Sequence, residues 1–243
     1  MNNNPNIAIL YHIFYEDTYE KIFLELAPLK KLNAIFLFNI CDETPNKILI
    51  AEALRKNFNG CFIITSSNKG KDIGAKLALI QLLLLLNINI EFILFLHDKK
   101  SLQALKSATW KKDLLKIISP ENISFIIKKF EKNEHYGIIG TREYIIFEEL
   151  KNNKLTSING FIISNLLSMY NLNPVSYQFV AGTMFWAKAK PLIDFFRQYN
   201  PLEIRKSLED GNVIDNFSGT NTHSWERLLS WIVISSGYKI TGI

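Results

Sequence analysis

A layered α/β fold with a mostly parallel sheet is what this sequence predicts, and three observations carry the prediction. Short apolar runs alternate regularly with helical stretches through the first hundred residues. Those runs lack a polar alternate face, as strands buried on both sides do. Residues 61–101, CFIITSSNKGKDIGAKLALIQLLLLLNINIEFILFLHDKKS, join two such runs through a long apolar helix, a strand–helix–strand unit of a parallel sheet. Polar residues follow the carboxyl end of each run, the place where open α/β sheets bind ligands.

Residues 7–14 form the first strand, and Glu16 and Asp17 open a helix through Leu29, with acids at its amino end. Residues 33–40 are the second strand, CDETPN is a turn, and 47–56 are the second helix. Strand three covers 60–65, helix three 72–86 and strand four 91–96. The pattern then loosens. Helices at 110–118 and 122–130 are separated by Ser119-Pro120, and YGIIG at 136–140 is a fifth strand. Helical pieces at 143–150 and 156–170 lead to a turn at 171–174, an extended run at 175–187 and a helix from Lys188 that tolerates Pro191 in its first turn. Residues 210–222 are a loop by composition. The last helix runs from His223 to Ser235, and YKI beyond Gly237 makes an edge strand. No repeat or linker divides the chain, so 1–243 reads as a single domain.

With 48% hydrophobic and 21% charged residues the composition is that of a globular protein, and disorder is expected only at the MNNNPN start. A net charge of +5 suits nucleic acid, anionic lipid or phosphorylated substrates, or is simply a solvated basic surface. Its lysines are dispersed among acids, which argues against nucleic acid. Cys41 and Cys61 form neither a metal cluster nor a disulfide framework and read as small buried residues in a reducing, cytoplasmic compartment. No secretion leader is expected. The apolar window 77–96 is interrupted by Gln81, Asn87, Asn89 and Glu91, and so reads as core rather than a membrane span.

Four stretches carry candidate chemistry. Asn68 to Gly74, with Gly70, Lys71 and Asp72, joins a strand to a helix and can cradle an anion with backbone N–H groups. It is neither a Walker motif nor a GxGxxG fingerprint, and its glycines also fit a simple turn. His97-Asp98-Lys99-Lys100 can hold a divalent cation or neutralise phosphate, or be a solvated turn. Gly182-Thr183-Met184-Phe185-Trp186 offers ring surface to a sugar-like ligand, or to the core. His223-Ser224-Trp225-Glu226-Arg227 opens a helix whose first-turn Glu226 is a candidate general base, or an acid paired with Arg227. The absence of GxSxG argues against a serine nucleophile.

In order along the chain, NKGKDIGAKL, FILFLHDKKS, Trp110-Lys111, Gly137–Arg142, FVAGTMFWAKAKPL and SWERLLSWIVISSGYKI resemble the rhamnan synthesis F family of glycosyltransferases. The resemblance spans nearly the whole chain. It implies an A-type glycosyltransferase fold, a Rossmann-like αβα sandwich. It also implies transfer of a sugar (rhamnose or another hexose) from a nucleotide-diphosphate donor to a cell-surface polysaccharide or lipopolysaccharide acceptor. Residues 1–101 would be the donor half, with His12, Asn68, Gly70, Lys71, Asp72, His97, Lys99 and Lys100 at the nucleotide sugar. Residues 102–243 would be the acceptor and catalytic half, with Gly182, Thr183, Met184, Trp186 and Arg227 at the acceptor. Glu226 is the leading base, with Asp98 or Asp210 as alternatives. Asp98 stands at the family's carboxylate motif, but Lys100 replaces the second acid. A divalent cation, Mn²⁺ or Mg²⁺, on Asp98 and His223 therefore competes with neutralisation by Lys99 or Lys100. The family pattern Asp-Gly-Thr-x-x-His-x-x-Glu-Arg meets Ser218-Gly219-Thr220 here, with His223 and Glu226 correctly spaced and Asp215 a displaced substitute for the missing acid. A lipid-linked glycan acceptor would bring the chain into peripheral contact with the inner membrane face. The alternative is a non-catalytic nucleotide-sugar or carbohydrate-binding protein on the same scaffold.

Overall fold

The computed structural model describes residues 5–98, 112–152, 154–215 and 218–243. Among them, seven strands make one sheet: β1 (Ile7–Ile13), β2 (Ala34–Cys41), β3 (Phe62–Ser66), β4 (Phe92–His97), β5 (Tyr136–Gly140), β10 (Phe185–Lys188) and β11 (Lys239–Gly242), in the order β11-β5-β10-β4-β1-β2-β3. All neighbours are parallel except β10, which runs antiparallel to both β4 and β5. The mostly parallel α/β prediction is met, and the strands of the two halves of the chain lie side by side in one sheet, joined where β10 pairs with β4. Two small antiparallel pairs stand apart: β6 (Ile145–Phe147) with β9 (Gln178–Val180), and β7 (Leu150–Lys151) with β8 (Lys154–Leu155).

Alternation along the buried strands feeds two cores. Ala8 and Leu10 of β1 face helices α3 (Lys71–Leu86), α5 (Gly160–Met169), α6 (Ala189–Gln198), α7 (Pro201–Lys206) and α8 (Asn221–Ser235). Ile7, Ile9, Tyr11 and Ile13 face α1 (Tyr19–Glu25), α2 (Lys47–Asn57) and α4 (Pro120–Lys132). Both faces of the sheet are thus covered, which is why its strands read as continuous apolar runs. α3 starts after Gly70 (φ 73°) and ends at Asn87 (φ 47°), both in the left-handed region that suits glycine and asparagine. A Cβ on Gly74 would lie 1.8 Å from the Lys69 carbonyl oxygen, so the close approach of that loop to the helix requires glycine. No helix among the described residues is long and apolar enough to cross a membrane.

Four expectations need correction. The helix expected over 16–29 is split into a 3-10 turn at Glu16–Thr18, α1, and a second 3-10 turn at Ala27–Lys31, because Pro28 has no N–H to continue the ladder. The helix expected at 143–150 is a 3-10 turn at Arg142–Tyr144 followed by β6. Its Ile-Ile-Phe residues pair with β9 and favour extended backbone. The single run expected at 175–187 is two strands, β9 and β10, broken by a turn with Gly182 at φ 77° and Thr183 at φ 50°. α7 was not foreseen, although Asn200 caps it by accepting the Leu202 N–H at 2.8 Å and Pro201 begins it. The helix expected at 110–118 lies partly outside the described residues and ends in a 3-10 turn at Leu115–Ile118.

Candidate functional site

The chain leaves β1 for β2 on one side and later returns with β4 on the other. The carboxyl ends of β1 and β4 therefore frame the switch point of the sheet, where a crevice opens. A cavity of about 400 Å³ lies there, lined by His12, Phe14, Tyr15, Asn68, Lys71, Asp72, His97, Asp98 and residues 212–214. His12 and His97 are register partners on the adjacent strands.

His12 is buried, and its Nδ1 lies 2.9 Å from Asn39 Oδ1; Asn39 Nδ2 donates in turn to Ser66 Oγ at 2.9 Å. That chain crosses the ends of β1, β2 and β3 and puts the imidazole proton on Nδ1. Burial pushes the His12 pKa down to about 4, so the ring is neutral.

The floor of the cavity is a charged cluster inside an otherwise apolar helix. Lys76 has no exposed surface, and its Nζ donates to Asp72 Oδ2 at 2.6 Å, to Thr183 Oγ1 at 2.6 Å and to His97 Nδ1 at 3.1 Å. Thr183 Oγ1 donates to Asp72 Oδ2 at 2.6 Å. An ammonium has no acceptor, so its contact with His97 leaves Nδ1 unprotonated. Burial alone would raise the Asp72 pKa, but the Lys76 ammonium and the hydrogen bonds from Lys76 and the Thr183 hydroxyl outweigh it and hold the carboxyl well below its usual range. Burial pulls the Lys76 pKa down against the opposing pull of Asp72.

Asp98 is buried and its carboxylate is engaged. Oδ1 accepts the Phe14 N–H at 2.9 Å and Oδ2 accepts the Tyr15 N–H at 2.7 Å, so Asp98 holds the loop after β1 over the cavity. Thr44 Oγ1 fastens the same loop through the Phe14 carbonyl at 2.9 Å.

The glycine-rich turn departs from expectation. The Gly70 N–H donates to the Glu209 carbonyl at 2.8 Å and the Lys71 N–H to the Asn68 carbonyl at 3.2 Å. These donors are occupied by protein and do not form the expected anion cradle. Gly70 is favoured because its backbone sits at φ 73°, in the left-handed region, and a Cβ there would also crowd Leu208 Cβ at 3.0 Å. Asn68 and Lys71 do line the cavity, where the Lys71 ammonium bonds the Val213 carbonyl and Asn68 Nδ2 reaches Asn212 Oδ1 at 3.4 Å.

The second half of the chain meets this cluster through the turn after β9. Glu226 Oε1 accepts the Gly182 N–H at 2.7 Å, and its Oε2 pairs with Arg227 Nη1 at 3.0 Å. Arg227 also bonds Glu148 at 2.8 Å and stacks 4.5 Å over the Phe179 ring. Glu226 thereby fixes the turn that delivers Thr183 to Asp72 and Lys76. Met184 and Trp186, expected at the acceptor, have no exposed surface and pack in the core, with Trp186 Nε1 donating to the Ile117 carbonyl at 3.0 Å. That expectation is corrected: β10 is a central strand, so its alternate side chains enter a core on each face. Lys99 and Lys100 lie outside the described residues.

Asp98 and His223, expected to share a cation, stand in separate clusters. Among the described residues no group of three or more His, Cys, Asp or Glu side chains gathers at metal-binding distance, and the remaining residues contain none of these types. With the Asp98 carboxylate engaged by two backbone N–H groups and His223 paired with Asp215 elsewhere, these two residues do not fit the expected shared Mn²⁺ or Mg²⁺. The sequence reading missed Asn39, Ser66, Asn159 and above all Lys76. Lys76 carried a signal, since a lone lysine four residues after Asp72 in an apolar helix must be paired. A second cavity of about 400 Å³, lined by Tyr170, Phe195, Tyr199 and Tyr238 among others, shares no residue with this network.

Two curated relatives, both called uncharacterized protein WxcX, come from Xanthomonas campestris pv. campestris strains B100 and ATCC 33913. Each is 21% identical over 245 residues, covering 99% of this chain and 33% of the relative. The chain thus spans about a third of the length of the curated relatives it matches. The family model described as rhamnan synthesis protein F matches residues 1–238, and the chain belongs to that family.

Proposed function

We propose that this chain is a sugar-transfer unit of polysaccharide assembly, moving a hexose from a nucleoside-diphosphate donor to a glycan or lipid-linked glycan hydroxyl on an A-type glycosyltransferase scaffold. The observation that carries the reading is the polar cavity at the β1/β4 switch point, built from His12, Asp72, His97 and Asp98 in a chain of the rhamnan synthesis protein F family.

The donor occupies that cavity, with Asn68 and the Lys71 ammonium at the diphosphate. Lys99 and Lys100, immediately after Asp98, add charge for the leaving group. No step is routed through a cation. Asp98 positions the loop of Phe14 and Tyr15 against the donor, and Glu226 positions Gly182 and Thr183 on the acceptor side. Such pre-organisation is what transfer demands, since charge develops on the leaving phosphate and the acceptor hydroxyl must be held in line. The engaged carboxylates of Asp98 and Glu226 favour the second reading, a nucleotide-sugar-binding protein without turnover.

Incubation with a panel of UDP-, GDP- and dTDP-hexoses, with and without rhamnose oligosaccharides, separates the two. Release of nucleoside diphosphate with sugar appearing on the oligosaccharide is expected. Tight donor binding without release across the whole panel would establish the binding protein instead.

A further inference from the structure

His223 begins α8 with its Nδ1 2.7 Å from Asp215 Oδ1 and 2.6 Å from Thr220 Oγ1. Asp215 is fixed on its other side, where Oδ2 accepts from Asn159 Nδ2 at 2.8 Å; Asn159 Oδ1 in turn accepts the Thr220 N–H at 2.8 Å. The Thr220 hydroxyl donates to Asp215 Oδ1 at 3.1 Å, so its oxygen is an acceptor toward the imidazole. Two acceptors on one ring nitrogen place the proton on Nδ1 and leave Nε2 with its lone pair. Nε2 has no hydrogen-bond partner among the described residues. This is the arrangement in which a carboxylate selects the tautomer of a histidine base.

The dyad adjoins, along the chain, the loop that lines the proposed donor cavity. Asp215 directly follows residues 212–214 of its lining. His223 lies three residues before Glu226 on the same helix, and Glu226 fixes the turn whose Thr183 touches Asp72. The His223 side chain keeps a quarter of its surface exposed, whereas both Glu226 oxygens already have partners.

We propose that His223, oriented by Asp215, is the base that takes the acceptor proton, and that Glu226 is a positioning residue; this rests on the sugar-transfer reading above. The acceptor O–H bond breaks, its proton goes to His223 Nε2, and the oxygen bonds the anomeric carbon. The bond from that carbon to the diphosphate breaks, and its electron pair leaves with the nucleoside diphosphate. The displacement is single and inverts the anomeric centre.

The test measures transfer from the UDP-, GDP- and dTDP-hexose panel by the full chain and by His223→Ala and Asp215→Asn. Thermal unfolding checks each fold, and His223→Gln serves as a second variant read in the same way. Loss of the base is expected to lower kcat by roughly 10²–10⁴-fold with donor KM unchanged. Added imidazole should restore part of the rate in His223→Ala but not in Asp215→Asn, which retains a ring in the wrong tautomer. A His223→Ala rate within about tenfold of an active wild type, below the range for general-base loss, overturns the base and leaves the transferase intact. A wild type that transfers from no donor removes the transferase reading and the base with it.

Discussion

The Lys76 ammonium reaches Asp72 Oδ2 at 2.6 Å from inside a helix whose other inward residues are apolar, and no part of the lysine is exposed. The pair joins three parts of the chain, because Thr183 and His97 bond the same ammonium. Cutting one partner from a buried pair costs about 3–5 kcal/mol, and the low end applies because Asp72 keeps a quarter of its side chain exposed. Lys76→Met is therefore expected to lower unfolding free energy by about 3 kcal/mol, with Asp72→Asn/Lys76→Met recovering much of it. Urea denaturation of both variants checks this; a double variant no more stable than Lys76→Met would show that the pair is not the source.

Burial holds His12 at a pKa of about 4, against about 6.5 in the unfolded chain. Between those values the unfolded chain binds the extra proton, so stability falls as pH drops from about 6.5 to about 4. The total is on the order of 3 kcal/mol. His12→Asn removes that proton from the balance. The slope of unfolding free energy against pH in this window should then be shallower by up to one proton, and an unchanged slope would place the titration elsewhere.

Asp98 spends its carboxylate on two backbone N–H groups of the loop after β1. In Asp98→Asn an amide nitrogen must face one of those donors. A loss of about 1–3 kcal/mol follows, read as a fall of roughly 2–4 °C in Tm per kcal/mol for a chain of this size. Donor affinity, measured by calorimetry, should weaken with it. A variant of unchanged Tm would mean that the two bonds do not fix the loop.

Glu226 separates two accounts of catalysis. As a base it would lose nearly all turnover on change to Gln. As the group that fixes Gly182, it should tolerate Gln, whose amide oxygen still accepts the Gly182 N–H, far better than Ala. Glu226→Ala is expected to lose roughly 10²-fold in kcat through misplacement of the turn, and Glu226→Gln distinctly less. Equal loss in both would restore Glu226 as the base.

The parallel sheet was legible because buried strands repeat a simple pattern, and the bounds of β1 to β4 fall within a residue or two of their apolar runs. The second half was harder to read. Ile145 to Phe147 is too short for periodicity to distinguish strand from helix, and the turn at Gly182 and Thr183 is hidden inside a run of strand formers. At the site, sequence placed His12, Asp72, His97 and Asp98 at strand or helix ends, which suffices to locate the cavity. It could not show whether a carboxylate is open or occupied. The partners of Asp98 and Glu226 are backbone N–H groups 83 or 84 and 44 residues away, and a backbone donor leaves no mark on residue type. Met184 and Trp186 were misassigned for a related reason, since an aromatic in a central strand serves the core before any ligand.

The most direct measurement is a crystal structure of the chain soaked with a nucleoside diphosphate (UDP, GDP or dTDP). The diphosphate is expected in the cavity between His12, Lys71, Asp72 and Asp98, with the loop of Phe14 and Tyr15 closed against it. Nucleotide bound in the Tyr170 and Tyr199 cavity instead, or absent from both at concentrations that saturate a nucleotide-sugar enzyme, would contradict the assignment of the β1/β4 switch point as the donor site.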